Sequence, residues 1–134
     1  MLTISLEKLF YIVEKAREFD AEVPGETGDT ESSAADDDER EILLDTPNNP
    51  TAQELRAALG SLNADERDEL LALMWVGRGD FDGSSWSDAL ALARQQRTDR
   101  EPDYLMGTPL LADYLEAGVD ALGLSLEEFE KNRL

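Results

Sequence analysis

The chain has 134 residues and contains neither histidine nor cysteine. No disulfide can form, and neither a thiolate zinc site nor a histidine-ligated metal site can be built from this chain alone. Ser-His-Asp, Cys-His and histidine general-base chemistry are excluded with them. Basic residues are scarce as well. Twelve Lys and Arg stand against 31 Asp and Glu, a formal charge of −19. That balance opposes binding to nucleic-acid phosphates, which requires clustered cations. Long apolar runs are missing too. The longest is the seven-residue stretch Leu70 to Val76, well short of the ~20 residues that cross a bilayer. Met1-Leu2-Thr3-Ile4-Ser5 lacks the basic and apolar regions of a signal peptide. A cytoplasmic protein that engages neither nucleic acid nor membrane is expected, with no cofactor and no bound metal.

What is present is helical patterning, interrupted once. Residues 20–41 hold ten acids and one base, so about half of the net charge falls in this stretch, with Pro24, Gly25 and Gly28 among the acids. Such a segment buries too little apolar surface to offset the entropy of ordering it. The sequence thus divides into an N-terminal amphipathic helix over residues 1–20, a flexible acidic linker over 21–48 and a helical domain over 49–134. Within the linker, Ile42-Leu43-Leu44 is a short apolar patch able to dock on the core. In the first helix Leu6, Leu9, Phe10, Val13 and Ala16 share one face behind a Ser5 cap. A helix of this length needs a packing surface, either its own core or a second copy.

Start and stop signals are dense from residue 49 onward. Thr51 with Glu54 and Asn63 with Glu66 have capping-box spacing, while Gly60 and Gly77 stand where helices should end. The segment Leu70–Val76 is apolar all round, as in a helix buried on several sides. Ser85 opens a further helix, Thr108-Pro109 reads as a cap followed by a first-turn proline, and Ser125 with Glu128 opens a short last helix. No segment alternates as a strand does. An all-α fold follows, a compact bundle of five to six short helices. Its core is expected at Leu70, Leu73, Met74, Val76, Trp86, Leu90, Leu111, Leu115 and Val119.

The most distinctive stretch is Trp75-Val76-Gly77-Arg78-Gly79-Asp80-Phe81-Asp82 after the leucine-rich helix. Downstream follows Tyr104-Leu105-Met106-Gly107-Thr108-Pro109-Leu110-Leu111-Ala112-Asp113-Tyr114-Leu115. Together the two motifs resemble a bacterial family catalogued as domain of unknown function 3775, over roughly residues 51–124. The resemblance implies a bacterial origin and carries no activity with it.

The Gly-Arg-Gly-Asp stretch has three readings. As structure, it ends one helix and caps the next, with Trp75 and Trp86 as core anchors, Arg78 held by a nearby carboxylate, and Asp80 or Asp82 as the cap. As a calcium loop, Asp80, Asp82 and Ser84 occupy positions one, three and five, but Ser85 and Ala91 replace the glycine and the bidentate glutamate such a loop requires. As a ligand or partner site, Arg78 between two glycines can approach an anion, with Asp80, Asp82, Trp75 and Tyr104 around it. The structural reading takes precedence. No catalytic constellation is recognisable, so the expectation is a small non-catalytic helical module for protein interaction, through an unknown partner or self-association of the N-terminal helix. The alternatives are a ligand- or metal-binding protein using this turn and an acidic nucleic-acid mimic.

Overall fold

The computed structural model describes residues 2–22, 49–97 and 101–126. These form six α-helices: α1 (Leu6–Glu22), α2 (Pro50–Gly60), α3 (Ala64–Arg78), α4 (Trp86–Gln95), α5 (Glu101–Met106) and α6 (Leu111–Ala121), with a 3-10 turn at Gly83–Ser85. No strand occurs among the described residues, and the fold is all-α. Residues 23–48, which hold nearly all of the expected acidic linker and its Ile42-Leu43-Leu44 patch, lie outside the described residues, as does the short helix expected from Ser125 apart from its first two residues.

Helix α3 is the central element. It packs against α6, α4 and α5, while α1 packs against α6 and α2. Leu9, Ile12, Val13, Ala16 and Phe19 of α1 are buried in the same core as Leu70 to Val76 of α3 and Leu111, Leu115 and Val119 of α6. The apolar stripe of the N-terminal helix is therefore covered by its own domain. α1 also runs on through Glu22, two residues past the expected boundary. There the Glu22 carboxylate accepts the side-chain amide of the buried Asn49 at 3.0 Å, tying the end of α1 to the start of α2. Of the expected core residues, Trp86 and Leu90 are only half-buried against the cluster.

Several local assignments move. Helix α2 is capped by Asn49, whose side chain accepts the Ala52 N–H at 3.0 Å, with Pro50 in the first turn. Thr51 does not cap it, and Glu54 pairs instead with Lys15 of α1. Helix α5 had no counterpart in the sequence reading. It changes the role of Thr108, whose hydroxyl donates back to the Tyr104 carbonyl at 2.9 Å. The position before α6 falls to Leu110, at φ +61°.

Gly77 does not end α3. The helix continues to Arg78 and closes on Gly79 at φ +96°, in the left-handed region where a side chain is strained. Gly77 serves packing: a Cβ there would lie 1.8 Å from the Tyr114 carbonyl oxygen of α6. Reciprocally, a Cβ at Gly118 of α6 would lie 2.3 Å from the Leu73 carbonyl of α3, and one at Gly83 would lie 2.4 Å from the Ala121 carbonyl. Helix α6 thus lies backbone-to-backbone against α3 and the turn after it.

Three acids of α3 are buried, each bonded within the chain. Glu69 accepts the N–H groups of Thr3 at 2.7 Å and Ile4 at 2.8 Å, fixing the segment before α1. Asp68 is fully buried and held by the Arg97 guanidinium. Glu66 completes the capping box with Asn63 and takes the Lys8 ammonium at 3.1 Å.

Two sets of variants test this packing. Gly77→Ala and Gly118→Ala should each destabilise the protein by about 1–3 kcal/mol or more, because the obstructing atom is backbone. Gly79→Ala, with open space around it, should cost only the ~1–2 kcal/mol of a left-handed residue. Urea denaturation gives all three values, and a Gly77→Ala protein as stable as wild type would refute the close α3–α6 approach. Glu66 supplies a pH test. Its carboxyl is held below the usual range, chiefly by the Asn63 main-chain N–H and further by Lys8, against the opposing effect of burial. A lowered carboxyl stabilises the fold above its unfolded pKa and loses that contribution as pH falls through the folded pKa. Glu66→Ala should therefore cost about 1 kcal/mol at neutral pH, as a lost cap does. The gap to wild type should narrow below the ordinary carboxylate range.

Candidate functional site

The turn after α3 is built mostly from its own main chain. Gly79 N–H and Asp80 N–H both return to the Trp75 carbonyl, at 3.1 and 2.9 Å, and close the helix. Arg78, the last residue of α3, projects from that end. Its Nε donates to Asp80 Oδ2 at 2.8 Å and its Nη2 lies 2.6 Å from the same oxygen. Asp80 raises the Arg78 pKa through this bond, and Tyr104 of α5 raises it further. Arg78 thus stands between Asp80 and Tyr104 at an exposed corner where the end of α3 reaches α5.

Asp82 and Trp75 do other work. The Asp82 carboxylate accepts the Ser85 N–H at 3.1 Å and the Ser84 hydroxyl, capping the 3-10 turn that leads into α4. These hydroxyl and N–H donors hold its carboxyl below the usual range. Ser85 itself, the expected opener, makes no side-chain cap to α4. Trp75 is buried and its ring lies 6.1 Å from that of Phe81, tilted by 36°. Trp75 and Phe81 anchor the turn from beneath while Arg78 and Asp80 close it above.

Two large side chains in and after α5 face solvent. Tyr104 is 49% exposed and Leu110, four residues past the end of α5, is 39% exposed. Sequence reasoning found Tyr104 through its motif and missed Leu110. Nothing in the letters Pro109-Leu110-Leu111 marks which leucine takes a left-handed backbone. Two grooves, of about 620 and 520 Å³, lie along α1, and none of Arg78, Asp80, Asp82, Trp75 or Tyr104 lines either. The sequence reading missed both, because their walls come from helices separated by residues 23–48.

No group of three or more acids suited to a metal ion occurs among the described residues. Both carboxylates expected in a calcium loop are engaged, Asp80 by a guanidinium and Asp82 by hydroxyl and N–H donors. Calcium would have to displace those contacts. Millimolar calcium should therefore raise the melting temperature no more than magnesium does, through screening of self-repulsion alone. A calcium-specific rise that disappears in Asp80→Ala would make the turn a metal site.

No curated protein and no solved structure matches the chain. The family described as Protein of unknown function (DUF3775) matches residues 52–124, more than half of the chain, from α2 to the end of α6 with both motifs inside the match. On that match, the chain belongs to the DUF3775 family.

Proposed function

We propose that this protein is a small, non-catalytic helical module that binds another protein, and that the corner formed by Arg78, Asp80 and Tyr104 is part of its contact surface. The observation that carries this reading is the half-exposed Tyr104 ring beside a guanidinium whose orientation Asp80 already fixes. Tyrosine and arginine are the residue types that most often dominate binding energy at interfaces. An arginine held by its own acid loses little freedom when a partner arrives. Leu110, in the same sequence motif as Tyr104, supports a contact role for this part of the chain. A non-glycine residue at φ +61° is strained by about 1–2 kcal/mol, and such strain concentrates at sites that clamp something. Its side chain is also exposed. The main-chain bonds and caps around Asp82 and Gly79 supply a rigid base for these side chains.

The test is cross-linking capture from the cells that make the protein, comparing wild type with Tyr104→Ala. A surface truncation of this kind should change stability by less than about 0.5 kcal/mol. Loss of a hot-spot tyrosine should weaken a specific partner by about 2 kcal/mol, or roughly thirtyfold. A partner captured equally by both proteins would place the interface elsewhere. A reaction catalysed by wild type and abolished by Arg78→Ala at unchanged stability would replace this reading with an enzymatic one.

A further inference from the structure

Away from the Arg78–Tyr104 residues, α1 presents a second face. Its inner stripe is buried, and its outer stripe carries Glu7, Tyr11, Glu14 and Glu18, spaced four, three and four residues apart. Along this face runs the groove of about 520 Å³, walled by Phe10, Tyr11 and Ile12 of α1 and by Ala58 and Leu62 at the end of α2. Glu7 and Glu14 also line it, as does Lys8, whose ammonium Glu66 holds. Tyr11 is 42% exposed, with the Lys15 ammonium 5.7 Å from the centre of its ring.

The charges around this groove are unevenly matched. Each base of α1 is already taken. Lys8 is held by Glu66, Lys15 by Glu18 and Glu54, and Arg17 by Asp113 and Glu116. Glu7 and Glu14 make no ion pair among the described residues. They stand one on either side of the Tyr11 ring, about 10 Å apart along the helix axis.

We propose that the groove between α1 and α2 binds a basic amphipathic helical segment of another protein. This surface is separate from the Arg78–Tyr104 corner, and the proposal does not rest on that reading. An apolar side chain of the partner enters between Tyr11 and Leu62. A Lys or Arg one turn before it reaches one of the two acids, and another one turn after it reaches the second. The acid spacing equals that of two residues seven apart on a helix lying along α1, so the fitting pattern is a cation, an apolar pair three and four residues on, and a cation at seven. The charge of −19 draws such a segment in and makes its association salt-dependent. The same charge repels a second copy of this chain, which would bring its own Glu7 and Glu14 to the contact.

The probe is a fluorescein-labelled helical peptide of about 14 residues, long enough for stable helix on docking. It carries Lys at positions one and eight of its central octad and Leu at four and five. Anisotropy measures affinity, and amide chemical shifts of the labelled full chain locate the site. Shifts centred on Tyr11, Ile12, Ala58 and Leu62 are expected. The doubly substituted protein Glu7→Gln, Glu14→Gln and the single variant Tyr11→Ala should each bind about tenfold more weakly. Tyr104→Ala should bind as wild type does, so the outcome is independent of the interface proposed above. A control peptide with both Leu replaced by Ser should also lose about tenfold. The proposal is overturned if the peptide fails to bind, if its shifts map elsewhere, or if the Glu7/Glu14 variant binds undiminished. It is equally overturned if the chain is a dimer that Tyr11→Ala converts to monomer, because a second copy would then occupy the groove.

Discussion

The contact on which the rest of this structure depends is the approach of α6 to α3, close enough that no side chain fits between their backbones at Gly77 and Gly118. Two helices usually keep 8–10 Å between axes because side chains separate them. Here a glycine on each helix meets a carbonyl of the other, and Gly83 extends the contact past the end of α3 to Ala121. The pairing fixes where α3 can stop and where the turn after it must lie. It places the end of α3 so that Arg78 emerges toward Tyr104. It also lets α6 serve two neighbours, because one side is taken by α3 while another receives α1.

Central burial of α3 has an electrostatic consequence. Its first half carries four acids, and three of them are inside. An unpaired buried carboxylate is costly, so each is given donors. Glu69 receives two main-chain N–H groups, Glu66 a main-chain N–H and an ammonium, and Asp68 a guanidinium. The donors come from the segment before α1, from α1 itself and from the residues after α4. The acids of α3 therefore determine how outlying parts of the chain attach to the centre.

This distinction explains what could be read from sequence. The fold class, the buried run Leu70–Val76 and the Asn63–Glu66 box were legible because periodicity and capping are local. Pairing of Arg78 with a carboxylate was legible for the same reason, since Asp80 is two residues away in one turn. Thr51 with Glu54 had an equally good spacing and failed, because Asn49-Pro50 offered a better start and Glu54 was drawn to Lys15. Gly77 and Gly79 are identical in sequence terms; only the proximity of α6 assigns one to packing and the other to the left-handed cap. Thr108 was misassigned because α5, six residues long, lacks the periodicity that reveals a helix. The grooves along α1 were beyond reach, since nothing in the letters joins Tyr11 to Leu62.

With so few bases, where each one is placed becomes informative. Lys8 joins α1 to α3, Lys15 joins α1 to α2, Arg17 joins α1 to α6, Arg56 joins α2 to α5, and Arg97 reaches back to α3. Five cations thus bridge different elements. The pairs with both partners exposed, such as Arg17–Glu116 and Arg56–Asp103, contribute about 0–1 kcal/mol each, whereas Arg97 and Lys8 answer buried carboxylates that would be costly to leave unpaired. What the bridges do is use up cations at the helix junctions. Apart from Arg67, Arg78 and Arg94, the remaining charged side chains of the described surface are carboxylates, and a field mostly of one sign attracts cations without telling one partner from another. Discrimination must then come from the apolar side chains that interrupt the field. Tyr11 beside its two acids and Tyr104 beside its arginine are such interruptions, each held on a helix that the core has already fixed in place.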